Sequence, residues 1–533
     1  MKSTKYIIPK ISGLALVCLV LLITSCSDFL EEQPSTEIDA GFVYDTEDGL
    51  QTAVVSLYKF NRDRYDEGQE DFIGALTVPS RSDLTFVRSG YLGLMGRYQR
   101  GISPDGYDSG ILSSRFWRHY YQIATKATEI INAAEAATDL DEDIVNQVIA
   151  EAKFFRAESY FFLYRMFDNI YVTTESVTPD NAFDVVDAPS SKEEILGLIS
   201  SDLENAIDVL DWDVDFGRVS KGTAKHLRAK VAMWEGDWAM AKAQSESLIE
   251  EGPHDLVKST KQVFNGRMEH EEQLFVIQFE ENALGGGSRN FINANHGVKY
   301  WLAPNSSSRE EYGGRGFSRL LPNNYLLELL AQDSSDNRDD DSYYRLKYFY
   351  DAGPNIGQEI DLYQPITDLD NPSDTYKQYY ERTHPACLKF AQEGSDPTTY
   401  FQIGNVMVYR LAETYLIAAE ANMRLGQDGL SYINAVRERA DASPITTLDE
   451  QAILDERARE LGMEGQRWFT LKRFGQEVLN RQMTTYAGDG PFFPANLGVK
   501  DPRTNWKDHF INYPIPQRDL DLLGPNYPQN PGY

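Results

Sequence analysis

Apolar residues recur three and four positions apart along the first half of this chain, and that period commits it to amphipathic helices rather than strands. Leu50, Ala53, Val54, Leu57 and Tyr58 follow it behind Thr46, a candidate N-cap, and so do Trp117, Tyr120, Ala124, Ala127, Ile131 and Ala134. Ser191-Lys192-Glu193-Glu194 has the serine and glutamate spacing of a capping box. It opens a further helix carrying Ile195, Leu198, Ile199, Leu203, Ala206, Ile207 and Leu210.

Within Lys221 to Pro253, the residues Ala229, Gly236, Ala241 and Pro253 stand at the offsets of a tetratricopeptide repeat. Small residues let paired helices approach, and Gly236-Asp237 makes the turn. Lys225 and Arg228 occupy positions that are usually apolar, so the repeat is degenerate. Ala419 and Gly426 recur at the same offset in a helix expected from Arg410 to Leu425. Such pairs stack into a curved scaffold. Between residues 254 and 400 the pattern changes. Leu274 and Val276, flanked by Phe275, Ile277 and Phe279, suit a short buried strand. Gly285-Gly286-Gly287, Pro304-Asn305 and Gly313-Gly314 are loop chemistry, and long loops on a rigid scaffold usually carry function.

The N-terminus carries Lys2, Lys5 and Lys10, then an apolar stretch from Ile11 to Ile23. That stretch is shorter than the roughly 20 residues a membrane span needs, so it reads as a secretory signal. Leu22-Ile23-Thr24-Ser25-Cys26 resembles a bacterial lipobox. The resemblance implies a signal over 1–25, a lipidated Cys26, a tether over 26–40 and one domain over 41–533. Asp28, Glu31 and Glu32 resemble the surface-export signal of some outer-membrane lipoproteins. Of three cysteines, Cys18 leaves with the signal and Cys26 is acylated, so Cys387 has no partner and stability must come from a large core. The formal charge is −31. So acidic a chain excludes nucleic acid as a partner.

Aromatic loops are the candidate ligand site. Tyr300-Trp301, with Arg289, Asn293, Asn295 and Asn305, mixes flat apolar faces with hydrogen-bonding groups, and Tyr91, Arg97 and Tyr98 lie in a second Gly-punctuated stretch. Tyr343-Tyr344 and Tyr348-Phe349-Tyr350 are expected in the core. Glu456, Glu460 and Glu464 share one helical face, but Arg457, Arg459, Arg467, Lys472 and Arg473 surround them, so they read as ion-paired rather than catalytic. Asp211-x-Asp213-x-Asp215 departs from a calcium loop, with Phe216 at the sixth position and Gly222 at the twelfth. No metal, cofactor or catalytic residue is assigned.

Four blocks, in order, carry a resemblance to one family. They are Cys26-Ser27-Asp28-Phe29-Leu30; Glu151-Ala152-Lys153-Phe154-Phe155-Arg156-Ala157 with Tyr160, Leu163 and Phe167; Arg410-Leu411-Ala412-Glu413 through Glu464-Gly465-x-Arg467-Trp468 to Leu471-Lys472-Arg473; and Pro514-Ile515-Pro516-Gln517 with the ending Gln529-Asn530-Pro531-Gly532-Tyr533. They resemble the SusD-like (RagB/SusD) outer-membrane nutrient-uptake lipoproteins. The resemblance implies a mainly α fold, with helical scaffold over about 41–253 and 401–480 and a loop-rich ligand face over about 254–400. It also implies a non-enzymatic protein, lipid-anchored at the cell surface on the outer membrane, that captures oligosaccharides for a SusC-like TonB-dependent transporter. A peptide cargo and a surface scaffold without a small ligand are the alternatives.

Overall fold

The computed structural model describes residues 44–65, 78–87, 98, 102–106, 110, 112–264, 269–279, 290–309, 312–339, 341–362, 374–392, 396–488 and 502–533. The described residues are mainly helical, at 52% helix and 6% strand. Cys26, the signal and the tether lie outside the described residues. No described helix is long and apolar enough to cross a membrane.

The helices form where the apolar period requires. Helix α1 (Glu47–Asp63) begins at Thr46, whose hydroxyl accepts from Gly49 N–H at 3.1 Å, and it buries Leu50, Ala53, Val54 and Leu57. Helix α2 (Arg118–Ala136) continues a π turn over Leu112–Trp117. It packs on α3 (Glu142–Phe167), which packs on α4 (Lys192–Val209). The capping box at Ser191 is present: Glu194 N–H donates to its hydroxyl at 3.2 Å, and Ser191 N–H donates to the Glu194 carboxylate at 2.7 Å. Helices α5 (Lys221–Glu235) and α6 (Trp238–Glu251) form the pair read from the repeat, and Gly236 closes α5 at φ 80°. The stack runs on through α7 (Leu411–Arg424) and α8 (Leu430–Arg439), then α9 (Glu450–Leu461) and α10 (Arg467–Phe474).

Among the described residues, six short strands form three two-stranded antiparallel sheets. They are β1 (Thr85–Val87) with β3 (Leu320–Pro322), β2 (Gln273–Ile277) with β6 (Val406–Arg410), and β4 (Tyr344–Arg345) with β5 (Ala386–Cys387). The strand expected around Leu274 is therefore β2. Its partner β6 ends at Arg410, where a helix start was expected; α7 begins one residue later. Val406-Met407-Val408-Tyr409 is a β-branched and aromatic run that pairs with β2, and this accounts for the correction.

One main core joins the scaffold helices to the C-terminal segment, through residues such as Phe154, Phe161, Trp468, Tyr513 and Ile515. A buried ionic cluster fastens the loop-rich region to α9. Arg338 is fully buried and meets Asp336 at 2.6 Å, Glu456 at 2.6 Å and Glu460 at 3.1 Å. Glu460 also accepts from Arg410, Arg439 and Tyr343, while Lys389 and Arg410 hold Glu464. Burial alone would raise these carboxyls, but the surrounding arginines and Lys389 outweigh it, and Glu456, Glu460 and Glu464 are all held below the ordinary glutamate value. They are ion-paired as expected, but of the cations near them in sequence only Arg459 pairs with one of them; Arg457, Arg467 and Arg473 pair with Glu413, Asp83 and Glu420, because their helices turn them to other faces.

Candidate ligand-binding face

The segment Gly313-Gly314-Arg315-Gly316-Phe317-Ser318-Arg319 builds the site. Burial alternates along it although Gly313, Gly314 and Ser318 take left-handed backbone, at φ 70°, 89° and 57°. Glycine and Ser318 point inward and are buried, whereas Arg315, Phe317 and Arg319 are half-exposed on the outer face. The inner face lies against the short helix Ile292–His296. Phe317 N–H donates to Ala294 O at 2.5 Å, Ser318 N–H to Gly297 O at 2.8 Å, and Arg319 N–H to Asn295 O at 3.2 Å. Only glycine fits at 316, because a Cβ there would stand 2.0 Å from Gly297 O. The same holds at Gly314, which has φ +89° and whose Cβ would meet Thr399 O at 2.9 Å.

The outer face carries a contiguous aromatic surface. Phe317 stacks on Tyr400 with centroids 4.6 Å apart and an interplanar angle of 9°. Tyr400 meets Trp301 edge-on at 5.9 Å, and Phe291 joins Phe317 at 6.1 Å and Phe401 at 4.4 Å. All five rings are half-buried. Two guanidinium groups lie over this surface, Arg315 at 5.3 Å from the Trp301 centroid and Arg319 at 4.4 Å from that of Phe317. Such a surface offers ring faces for apolar stacking and N–H donors beside them.

The structure separates the residues read from the sequence. Trp301 is on the outer face. Tyr300 is not: it is buried in a cluster with Tyr312 and Tyr348, and its hydroxyl donates to Arg309 O at 3.1 Å and accepts from Arg309 N–H at 2.9 Å. Burial raises its phenol above the usual value. Asn293 and Asn295 are also buried, donating to Gly313 O at 2.5 Å and Phe291 O at 2.8 Å, and Asn295 accepts from Arg319 at 3.1 Å. These are frame residues beneath the surface. Asn305 is exposed in a left-handed turn, its side chain against Gly353. Tyr98 lies elsewhere, stacked on Phe510 at 5.3 Å with its hydroxyl on Arg81 O at 3.0 Å. Tyr91, Arg97 and Arg289 lie outside the described residues. Tyr343, Tyr344 and Tyr348 are core residues as expected, but Phe349 is 39% exposed, because its strand-like alternation with Tyr348 turns it outward.

Sequence reading missed Phe291, Arg315, Phe317, Arg319, Tyr400 and Phe401. A signal for three of them was present: Arg, Phe and Arg stand at every second position against Gly, Ser and Leu. Nothing local marks Tyr400 as its neighbour. An internal cavity of about 160 Å³, lined by Arg64, His119, Glu158, His296, Phe390 and Tyr409 among others, lies within the domain. It falls below the roughly 300–1,000 Å³ of ordinary ligand pockets, and Trp301 is not on its wall.

Residues 293–533 match the model of the SusD family. The SusD-like protein P2 of Formosa agariphila is 28% identical over 97% of this chain and 98% of its own length. The crystal structure of a SusD homolog from Bacteroides thetaiotaomicron superposes with a TM-score of 0.74 at 22% identity, covering 93% of this chain and 99% of that one. A laminarin-binding SusD-like protein superposes with a TM-score of 0.67 at 22% identity, covering 91% and 99%. Matched segment, full-length relative and fold agree: the chain is similar to SusD-family proteins along its length, and its C-terminal segment matches the family model.

Proposed function

We propose that this protein captures an oligosaccharide at the cell surface on the face formed by Trp301, Tyr400 and Phe317. The observation that carries the reading is the aromatic surface itself: half-buried rings held in place by backbone contacts, with guanidinium donors alongside. Sugar rings present flat C–H faces that such rings bury while adjacent donors reach the hydroxyls. The likeness in fold to a laminarin-binding protein supports a saccharide. Binding is non-covalent and needs no cofactor. Cys26 would carry the lipid anchor at the outer membrane, and a SusC-like TonB-dependent transporter would receive the ligand. The test is isothermal titration against a glycan panel and a peptide mixture, followed by pull-down from detergent-solubilised membranes. Binding of peptides alone would sink the saccharide reading. Recovery without a large β-barrel would sink the delivery role.

A further inference from the structure

Arginines in the described chain are generally answered by a carboxylate. Arg156 meets Asp202 at 2.7 Å, Arg467 meets Asp83 at 2.7 Å, Arg473 meets Glu420 at 2.7 Å, and Arg437 meets Glu456 at 2.6 Å. With 82 acidic residues against 51 basic ones, acids are abundant. Arg315, like the buried Arg81 and Arg165, has no carboxylate partner among the described residues, but unlike them it is half-exposed beside the aromatic face. Its side chain donates from Nε to Ser308 Oγ at 3.3 Å and lies over Trp301, and its backbone N–H donates to Thr399 O at 2.8 Å. It forms no ion pair with a described residue, although Asp396 is close enough to sense its charge. The guanidinium is also well positioned. Gly313 O, two residues earlier, accepts from both Asn293 and Gln402, at 2.5 and 2.6 Å, so the turn leading into Arg315 is fixed from two sides.

The Arg315 guanidinium lies over the Trp301 ring with Nε on Ser308, and its Nη donors are taken by no described residue. That geometry suits bidentate capture of an oxyanion. A cation that meets no carboxylate at ion-pair distance among the described residues, beside rings that suit a sugar, marks a place for a charge brought by the ligand. We propose that the ligand is an acidic oligosaccharide. A carboxylate or sulfate group on one unit would sit on the Arg315 Nη donors while a neighbouring ring packs against Trp301 and Tyr400. The inference rests on the saccharide reading above and adds its charge class. Net charge does not favour it, since −31 repels an anion at long range. Selectivity must therefore come from the contact at Arg315 rather than from steering.

The test is affinity electrophoresis of the full-length protein through gels containing polygalacturonate, its carboxyl-reduced form, a sulfated galactan, its desulfated form, or laminarin. Wild type is compared with Arg315→Gln, Arg315→Lys and Trp301→Ala. Retardation is expected in an acidic gel and not in its neutralised counterpart, and which pair responds tells carboxylate from sulfate. Arg315→Gln should weaken that binding roughly ten- to hundredfold, as loss of a charge-assisted contact predicts. Arg315→Lys should recover part of it, because an ammonium bonds the oxyanion as a point charge. Unchanged thermal melting of Arg315→Gln would exclude a folding defect; if it melts early, Arg315→Lys carries the comparison. Retardation only in neutral gels, lost in Trp301→Ala, would overturn the acidic ligand and leave the saccharide reading standing. Retardation in no gel, with peptides bound instead, would overturn both.

Discussion

The side-chain amide of Asn293 donates to the carbonyl oxygen of Gly313 across 2.5 Å, and Gln402 donates to the same oxygen at 2.6 Å. Asn293 is only 3% exposed, so it touches no ligand; it holds the turn that presents Arg315. Replacing Asn293 by Ala leaves Gly313 O with one donor and opens space in the frame. The expected result is a loss of about 1–3 kcal/mol of stability together with weaker ligand binding. Chemical denaturation and titration on the same variant check it. Full affinity at reduced stability would show that the turn does not set the site.

Trp301 and Tyr300 are adjacent in sequence and should behave oppositely. Trp301→Ala removes a half-exposed ring, so the melting temperature should stay close to wild type while affinity drops by about 1–2 kcal/mol, roughly tenfold. Tyr300→Phe keeps the buried ring but strips both hydrogen bonds from the Arg309 backbone. It should cost about 1–3 kcal/mol of stability. Equal affinity losses in the two variants would contradict the separation of face and frame.

The fold was legible where local patterns carry it. Thr46, Ser191 and Gly236 mark helix ends by side-chain or glycine chemistry that needs no tertiary partner. That Glu456, Glu460 and Glu464 are ion-paired was legible, but their partners were not: apart from Arg459 they are Arg338, Lys389, Arg410, Arg437 and Arg439, all outside the helix that carries Glu456 and Glu460. The site was legible only in part. Tyr300 and Trp301 have the same local signal, and tertiary packing against Tyr312 and Tyr348 decides which one is buried. Tyr400 reaches Trp301 because Gln402 bridges Asn290 across the fold, a pairing that no local period announces.

Arg338 supplies a stability test. It is fully buried and answers three carboxylates, so Arg338→Met leaves Asp336, Glu456 and Glu460 short of a counter-charge in the interior. Breaking a buried pair from one side costs about 3–5 kcal/mol. The shift should appear as a lower denaturant midpoint with an unchanged slope. A shift under about 1 kcal/mol would mean that Arg437, Arg459, Arg410 and Arg439 suffice without it.

Acid should unfold the protein in two stages of opposite chemistry but the same sign. Burial, with Arg64 and Arg115 nearby, lowers the His119 imidazole to about 4, and burial lowers that of His296 to about 4. His296 Nδ1–H donates to Ile292 O at 2.8 Å, which favours the imidazolium, but burial outweighs that contact. Between the unfolded histidine value of about 6.5 and these folded values, the unfolded chain binds more protons, so stability falls as pH falls through that window. His226 and His254 are shifted in the same direction. The ionised glutamates act next. Their folded values lie below the ordinary 4.5, so their contribution is complete above 4.5 and is lost as pH drops through the folded values. Urea midpoints should thus decline from about pH 6.5 and fall again below about 4.5. His296→Asn, whatever it costs at neutral pH, should flatten the first decline and leave the second. An unchanged slope between pH 6.5 and 4.5 in that variant would show that His296 is not titrating as its burial requires.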